Sequence, residues 1–134
     1  MGKNITLATT FATPTSGQLG YTSVVAYNST YSSLANTTAS MVNIPVPIGV
    51  WLVTAGCRFG GGTVPNNINV GISNVGVYLQ AYSPTSIGIV ANMFGNSTLV
   101  VTNTSATTWY FIAQNNNSVN IPIDSICVQM TRIA

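Results

Sequence analysis

The sequence predicts an all-β protein, an antiparallel β-sandwich or jelly roll. No window sustains the 3.6-residue period of an amphipathic helix, and short runs of β-branched and aromatic residues recur between residues that favour turns. Regularly spaced short strands of this kind are typical of sandwiches and jelly rolls. A chain of 134 residues is long enough for one compact domain with its own core.

Nine runs are predicted as strands because each is rich in β-branched or aromatic residues and is bounded by turn-forming residues. In chain order they are roughly Asn4–Thr10, Tyr21–Tyr27, Val50–Phe59, Asn67–Ser73, Val77–Tyr82, Ile87–Met93, Thr98–Asn103, Thr107–Gln114 and Ser125–Ile133.

Three segments are predicted as connections between these strands. Gly60–Asn67 reads GGGTVPNN, in which adjacent glycines are adaptable and Pro65 cannot pair in a central strand. Ala12–Gly20 is predicted as a loop or a change of direction, and Asn28–Ser40 as a long exposed connection. We therefore divide the chain into N-terminal strands and a connection over residues 1–40, and a β-sandwich over residues 41–134, within one compact domain.

Two predicted strands carry apolar side chains on both faces, where a half-exposed strand would alternate apolar and polar residues. In TTWYFIAQ, Tyr110 and Ile112 lie on the face opposite to Trp109. In the Val50–Phe59 strand, Leu52 lies on the face opposite to Trp51. Either a long loop covers the second face, or identical subunits meet there. Charge is scarce along the whole chain, as in many subunit interfaces, and this favours an oligomer with Tyr110, Ile112 and Leu52 in the contact.

Charged residues make up 3% of the chain, against about 25% in an average soluble protein. They are Lys3, Arg58, Arg132 and the acid Asp124, and there is no histidine. This set cannot supply a catalytic triad, a carboxylate pair or a His/carboxylate metal site, so we expect no enzymatic activity, no cofactor and no metal. Because buried charges are usually paired, we expect Asp124 to pair with Arg58 or Arg132, within or between subunits.

Nucleic acid and membrane are poor partners for this sequence. A net charge of +2 forms no basic patch that would bind a phosphate backbone. The mean hydropathy is +0.40, but the most apolar segment, residues 41–57, contains Asn43, Pro45 and Pro47 and is shorter than the ~20 residues needed to span a bilayer. The N-terminus lacks the continuous apolar core of a signal peptide.

Cys57 and Cys127 could form one disulfide or remain free. Cys57 alternates in phase with Trp51, Val53 and Phe59, as a small buried apolar residue would. Cys127 lies out of phase with its apolar neighbours in the last strand. We therefore expect free thiols.

Three stretches resemble the C-terminal knob domain of bacteriophage tail-fibre and head-fibre proteins. They are IPVPIGVWLVTAGCRF, TTWYFIAQ about fifty residues later, and the terminal SICVQMTRIA, so that the resemblance covers roughly Val42–Ala134. Such knobs are similar to the trimeric jelly rolls of the tumour-necrosis-factor and complement type. The resemblance implies a homotrimer, a location on the virion surface, contacts with other virion proteins, and attachment to a host surface.

The resemblance leads to one main functional hypothesis, a trimeric virion fibre or knob that binds a host surface glycan or envelope component. Candidate contacts are Tyr82, Asn115, Asn116 and Asn117, with Tyr27 and Tyr31 weaker, because aromatic rings stack on sugars and amides bind hydroxyls. Ordinary turn chemistry is the alternative explanation for the asparagines.

Two other functions stay open. One is a capsid decoration or cement protein that stabilises the particle without binding a receptor, and the other is a free-standing lectin. The chain starts at Met1 without the heptads or collagen-like repeat of a fibre stalk. We therefore expect either that residues 1–40 anchor the knob, or that it sits directly on the capsid or tail.

Overall fold

The computed structural model describes residues 17–60, 68–76, 85–87 and 94–134, and it confirms the all-β prediction. Eight strands are present in the described ranges: β1 (Thr22–Ser33), β2 (Thr37–Val46), β3 (Gly49–Phe59), β4 (Ile68–Ser73), β5 (Thr85–Ile87), β6 (Phe94–Asn103), β7 (Thr107–Asn115) and β8 (Ile121–Arg132). Within these ranges no helix is long and apolar enough to cross a membrane.

The strands form two four-stranded sheets that enclose one core. Sheet A has the order β1-β8-β3-β6, and sheet B has the order β2-β7-β4-β5. Every strand pair is antiparallel. The first two strands belong to different sheets, as do the last two. The result is the predicted antiparallel sandwich.

The core follows from strict alternation along the central strands. In β3 every second side chain points inwards and is at most 5% exposed: Trp51, Val53, Ala55, Cys57 and Phe59. Phe111 and Ala113 of β7 reach the same core from sheet B. Burying a large apolar side chain contributes about 1.5–3 kcal/mol, so the two inner faces hold the sheets together.

A bulge changes the phase of β8. Ser125 has a positive φ of 49°, and the register with β3 shifts between Gly56 and Arg58. Ile121 and Ile123 are buried before the bulge, and Ile126 and Val128 are buried after it. One extra residue thus moves the inward positions from odd to even numbers. Cys127 is left on the outer face.

The prediction of a long exposed connection at Asn28–Ser40 is wrong. β1 continues to Ser33 and β2 begins at Thr37, so only a short turn separates them. Asn28 lies at an irregularity of β1, and Asn36 lies in the turn. Both have φ near +50°, a conformation that asparagine tolerates better than most residues. Because β1 pairs with β8 and β2 with β7, residues 22–40 are part of the sandwich.

Several predicted elements lie outside the described residues. They are the strands Asn4–Thr10 and Val77–Tyr82, most of the loop Gly60–Asn67, and the strand Ile87–Met93 after its first residue.

Candidate binding face

The outer face of sheet A consists of the side chains that alternate away from the core. In the middle of the sheet, the strand registers align these positions into three rows. The rows are Thr22–Thr131–Leu52–Val100, Val24–Gln129–Thr54–Thr98 and Cys127–Gly56–Asn96. None of these residues is charged.

A groove of about 490 Å³ crosses this face. Gly56 lies within it, and the missing side chain deepens the centre of the sheet surface. A Cβ atom at Gly56 would come no closer than 3.7 Å to another group, the carbonyl oxygen of Gly95, so the position has room for a side chain. The surrounding side chains carry hydroxyl, amide, thiol or apolar groups: Val24, Ala26, Tyr27, Thr54, Asn96, Thr98, Cys127 and Gln129.

Large apolar side chains stand exposed on the same face. Tyr27 is 80% exposed and Val24 is 62% exposed on β1, and Val100 is 53% exposed on β6. Phe94, at the far end of β6, is 69% exposed. These exposed apolar side chains, together with the groove, make the outer face of sheet A the candidate interaction site.

The ion pair between Arg58 and Asp124 closes one end of this face. Arg58 Nε donates to Asp124 Oδ1 at 2.7 Å, and Arg58 Nη2 donates to Oδ2 at 2.8 Å, a bidentate geometry. This hydrogen bonding lowers the pKa of the Asp124 carboxyl and raises the pKa of the Arg58 guanidinium. Arg132 lies far along the strand, opposite Trp51, so Arg58 is the arginine that the fold brings to Asp124.

The two cysteines face opposite sides of sheet A and are free, as predicted. Cys57 is buried in the core, and burial raises the pKa of its thiol to about 12. Cys127 is exposed at the groove, opposite Gly56. A sheet separates the two thiols, which prevents a disulfide between them in this fold.

The predicted ligand contacts at the asparagine run divide into buried and exposed residues. Asn115 is fully buried and Asn117 is 5% exposed, so the prediction of ligand contacts is wrong for both. Asn115 Nδ2 donates to the carbonyl oxygens of Ser33 and Val119, while its Oδ1 accepts from the backbone and side-chain nitrogens of Asn117. These bonds join the strand ends around the β7–β8 turn.

Of the other predicted contacts, Asn116 is exposed at the β7–β8 turn, whereas Tyr82 lies outside the described residues. Tyr27 borders the groove on sheet A, and Tyr31 packs against the core further along β1.

The residues of the predicted subunit contact also lie in different parts of the fold. Ile112 is fully buried within the single chain, so its burial needs no second subunit. Tyr110 is half-buried and lies against Gly76, where an added Cβ would come within 3.2 Å of the ring. Both residues face outwards from sheet B, whereas Leu52 faces outwards from sheet A. The three residues therefore cannot form one continuous contact surface.

The residues of the groove, among them Thr54, Gly56 and Thr98, are not among the site residues that the sequence predicts. They can be recognised in the sequence because they occupy the even-numbered positions of β3 and β6, which alternate with the inward-facing residues. Within the described ranges, no cluster of three or more histidine, cysteine, aspartate or glutamate residues could hold a metal ion.

Comparisons with known proteins identify no family for this chain. No family model matches the chain, and no curated protein matches it. Among solved structures, the chain is similar to the VP2 protein of the infectious bursal disease virus subviral particle, with 14% sequence identity and a TM-score of 0.45. The match covers 85% of this chain and 37% of that chain. Likeness at this level carries no conclusion about function, which must come from this chain's own residues.

Proposed function

We propose that this protein is a structural component of a virus particle, a homotrimeric knob of the phage-fibre type on the virion surface that attaches the particle to its host. Its work is assembly and recognition, without catalysis, metal or cofactor. Support comes from the resemblance over Val42–Ala134 and from the surface chemistry of sheet A.

The observation that carries this proposal is the uncharged groove on the outer face of sheet A, with the exposed Tyr27, Val24 and Val100 on the same face. Hydroxyl, amide and apolar groups can bind another surface, but they provide no general acid or base. The one carboxylate of the chain, Asp124, is already held by Arg58. Such a face suits a protein that binds other molecules and does not catalyse a reaction.

The segments that carry the resemblance occupy the centre of the sandwich. IPVPIGVWLVTAGCRF covers the end of β2, the following turn and β3, and SICVQMTRIA covers most of β8 beside β3. TTWYFIAQ is β7, the neighbour of β2 in sheet B. A knob of the proposed type would keep these strands as its framework and vary its turns.

For host attachment we propose the β7–β8 turn, because it exposes uncharged polar groups at one end of the sandwich. Asn116, Ser118 and Asn120 are exposed there, and the buried Asn115 fixes the turn from beneath. Amide and hydroxyl groups on a rigid turn suit the hydroxyl groups of a neutral surface glycan.

Three measurements on virions test this function. Antibody against the purified protein should label particles, and the protein should co-sediment with them. Purified protein added in excess should also compete with particle adsorption to host cells. Absence from purified particles would contradict the virion role.

Presence on particles without competition would support a decoration protein in its place. Particles that lack the protein should then lose heat resistance and keep normal adsorption.

A further inference from the structure

The exposed apolar side chains of sheet A occur at both edges of one face. Val24 and Tyr27 stand on β1, and Val100 stands on β6, with β8 and β3 between them. A small ligand in the groove would leave the outlying side chains in water. A partner that covers the whole face would remove all three apolar side chains from water.

The same face favours a partner that carries few charges. The three central rows carry no charge, and the two charged residues at the end of the face, Arg58 and Asp124, already pair with each other. An average protein surface would bring charges into this contact, and a desolvated charge without a partner is costly. This chain has three basic residues and one acidic residue in 134, so a second copy offers the matching uncharged surface.

A protrusion and a hollow lie side by side on this face. Tyr27 is 80% exposed at the border of the groove, while Gly56 leaves the centre of the groove open. One surface that carries both features can bind a copy of itself, with the tyrosine of each copy in the groove of another. Such a contact can repeat around a rotation axis.

We propose that the outer face of sheet A binds a second copy of this chain, with Tyr27 of one copy inserted in the groove beside Gly56 of the next. Cys127 lies in the groove and is buried at this contact. The inference rests on the homo-oligomer of the proposed function and identifies the face through which the copies meet.

Cys127 provides a native probe of this contact, and Cys57 is its internal control. Intact-mass analysis after treatment with N-ethylmaleimide at neutral pH should show no adduct on the native protein. Unfolding in urea should then allow two adducts, because both thiols become accessible. One rapid adduct on the native protein would overturn the proposal, since it would place Cys127 in solvent while Cys57 stays buried.

A matched pair of variants separates the contact from general effects of charge. Thr98→Arg places a cation on the outer face of sheet A, and Thr108→Arg places the same cation at an exposed position of β7 in sheet B. Thr98→Arg should weaken association at least tenfold and make Cys127 reactive, whereas Thr108→Arg should do neither. Circular dichroism establishes that both variants are folded. Equal association of the two folded variants would overturn the proposal.

A neutral sugar is the alternative occupant of the groove. If Cys127 reacts in the native protein and added maltooligosaccharide slows the reaction, the face is a ligand site and the proposed contact is wrong. These experiments also distinguish a failure of the proposed contact from a failure of the proposed virion role. Labelled particles with a reactive Cys127 would overturn only the contact, and a protected Cys127 in a protein absent from particles would overturn only the virion role.

Discussion

Gly56 and Gly95 lie on neighbouring strands of sheet A but face opposite sides of it, because Gly56 pairs with Asn96 and Gly95 pairs with Cys57. At Gly95 an added Cβ would approach Val70 Cγ2 to 2.8 Å and the Phe59 ring to 3.0 Å. The glycine allows the two sheets to come close together at this point.

We expect Gly95→Ala to lower the free energy of unfolding by about 1–3 kcal/mol, as overpacking of a core does. Gly56→Ala is the control, because its Cβ would meet only ordinary contacts, and its effect should stay within about 0.5 kcal/mol. Urea unfolding at a concentration that keeps all variants monomeric measures both. Equal effects at the two glycines would contradict the assignment of inner and outer faces.

Asn115 and Asn116 form a second matched pair, one buried and one exposed. Asn115→Ala removes an amide that bonds Ser33, Val119 and Asn117, and each buried group left unsatisfied costs about 1–3 kcal/mol. We expect unfolding free energy to fall by at least about 2 kcal/mol, and by less than about 1 kcal/mol for Asn116→Ala. Thermal and urea unfolding check this. A larger loss for Asn116→Ala would reverse the assigned roles.

Ile112 tests whether the chain itself covers the outer side of β7. Ile112→Ala should cost about 2–5 kcal/mol, the range for a buried isoleucine, and the cost should not change with protein concentration. Leu52→Ala, on the half-buried outer face of sheet A, is the comparison. A loss for Ile112→Ala that appears only at concentrations where the protein associates would instead place this residue in a subunit contact.

The Arg58–Asp124 pair predicts a pH dependence of stability. The pKa of Asp124 is lowered below its ordinary 3.8 in the folded protein. The pair therefore stabilises the fold at pH above this value, and its contribution disappears as the pH falls through the lowered pKa. Asp124→Asn should reduce Tm at pH 7 and should reduce it less at pH 2. The reduction should be small, because exposed ion pairs contribute little.

Arg58→Gln serves as the partner control for Asp124→Asn. Each single variant should give a similar reduction of Tm at pH 7, and the double variant should add little to either. A reduction by Asp124→Asn that persists unchanged at pH 2 would show that the carboxylate acts through something other than this pair.

The sequence predicts the bounds of those strands whose apolar residues alternate regularly. β3 and β7 alternate clearly, and their predicted bounds differ from the observed ones by one residue or less at each end. β2 was missed because its first half is Thr, Ala and Ser, and because it contains Pro45. Among the described strands, β2 lies at the edge of sheet B, and an edge strand tolerates such residues.

The candidate site was harder to predict, because it depends on which sheet each strand joins. Leu52 and Ile112 have similar local patterns, yet sheet order places them on opposite sides of the sandwich. The burial of Asn115, in contrast, can be predicted from the sequence. This residue follows Phe111 and Ala113 in the inward phase of β7, and that phase predicts a buried amide in place of a ligand contact.

The central claim, that this protein is a homotrimeric structural module, is tested most directly by the native mass of the purified chain. Native mass spectrometry or light scattering at micromolar concentration should give three times the 14.0 kDa mass of the chain. A mass of 14.0 kDa under these conditions would contradict the claim.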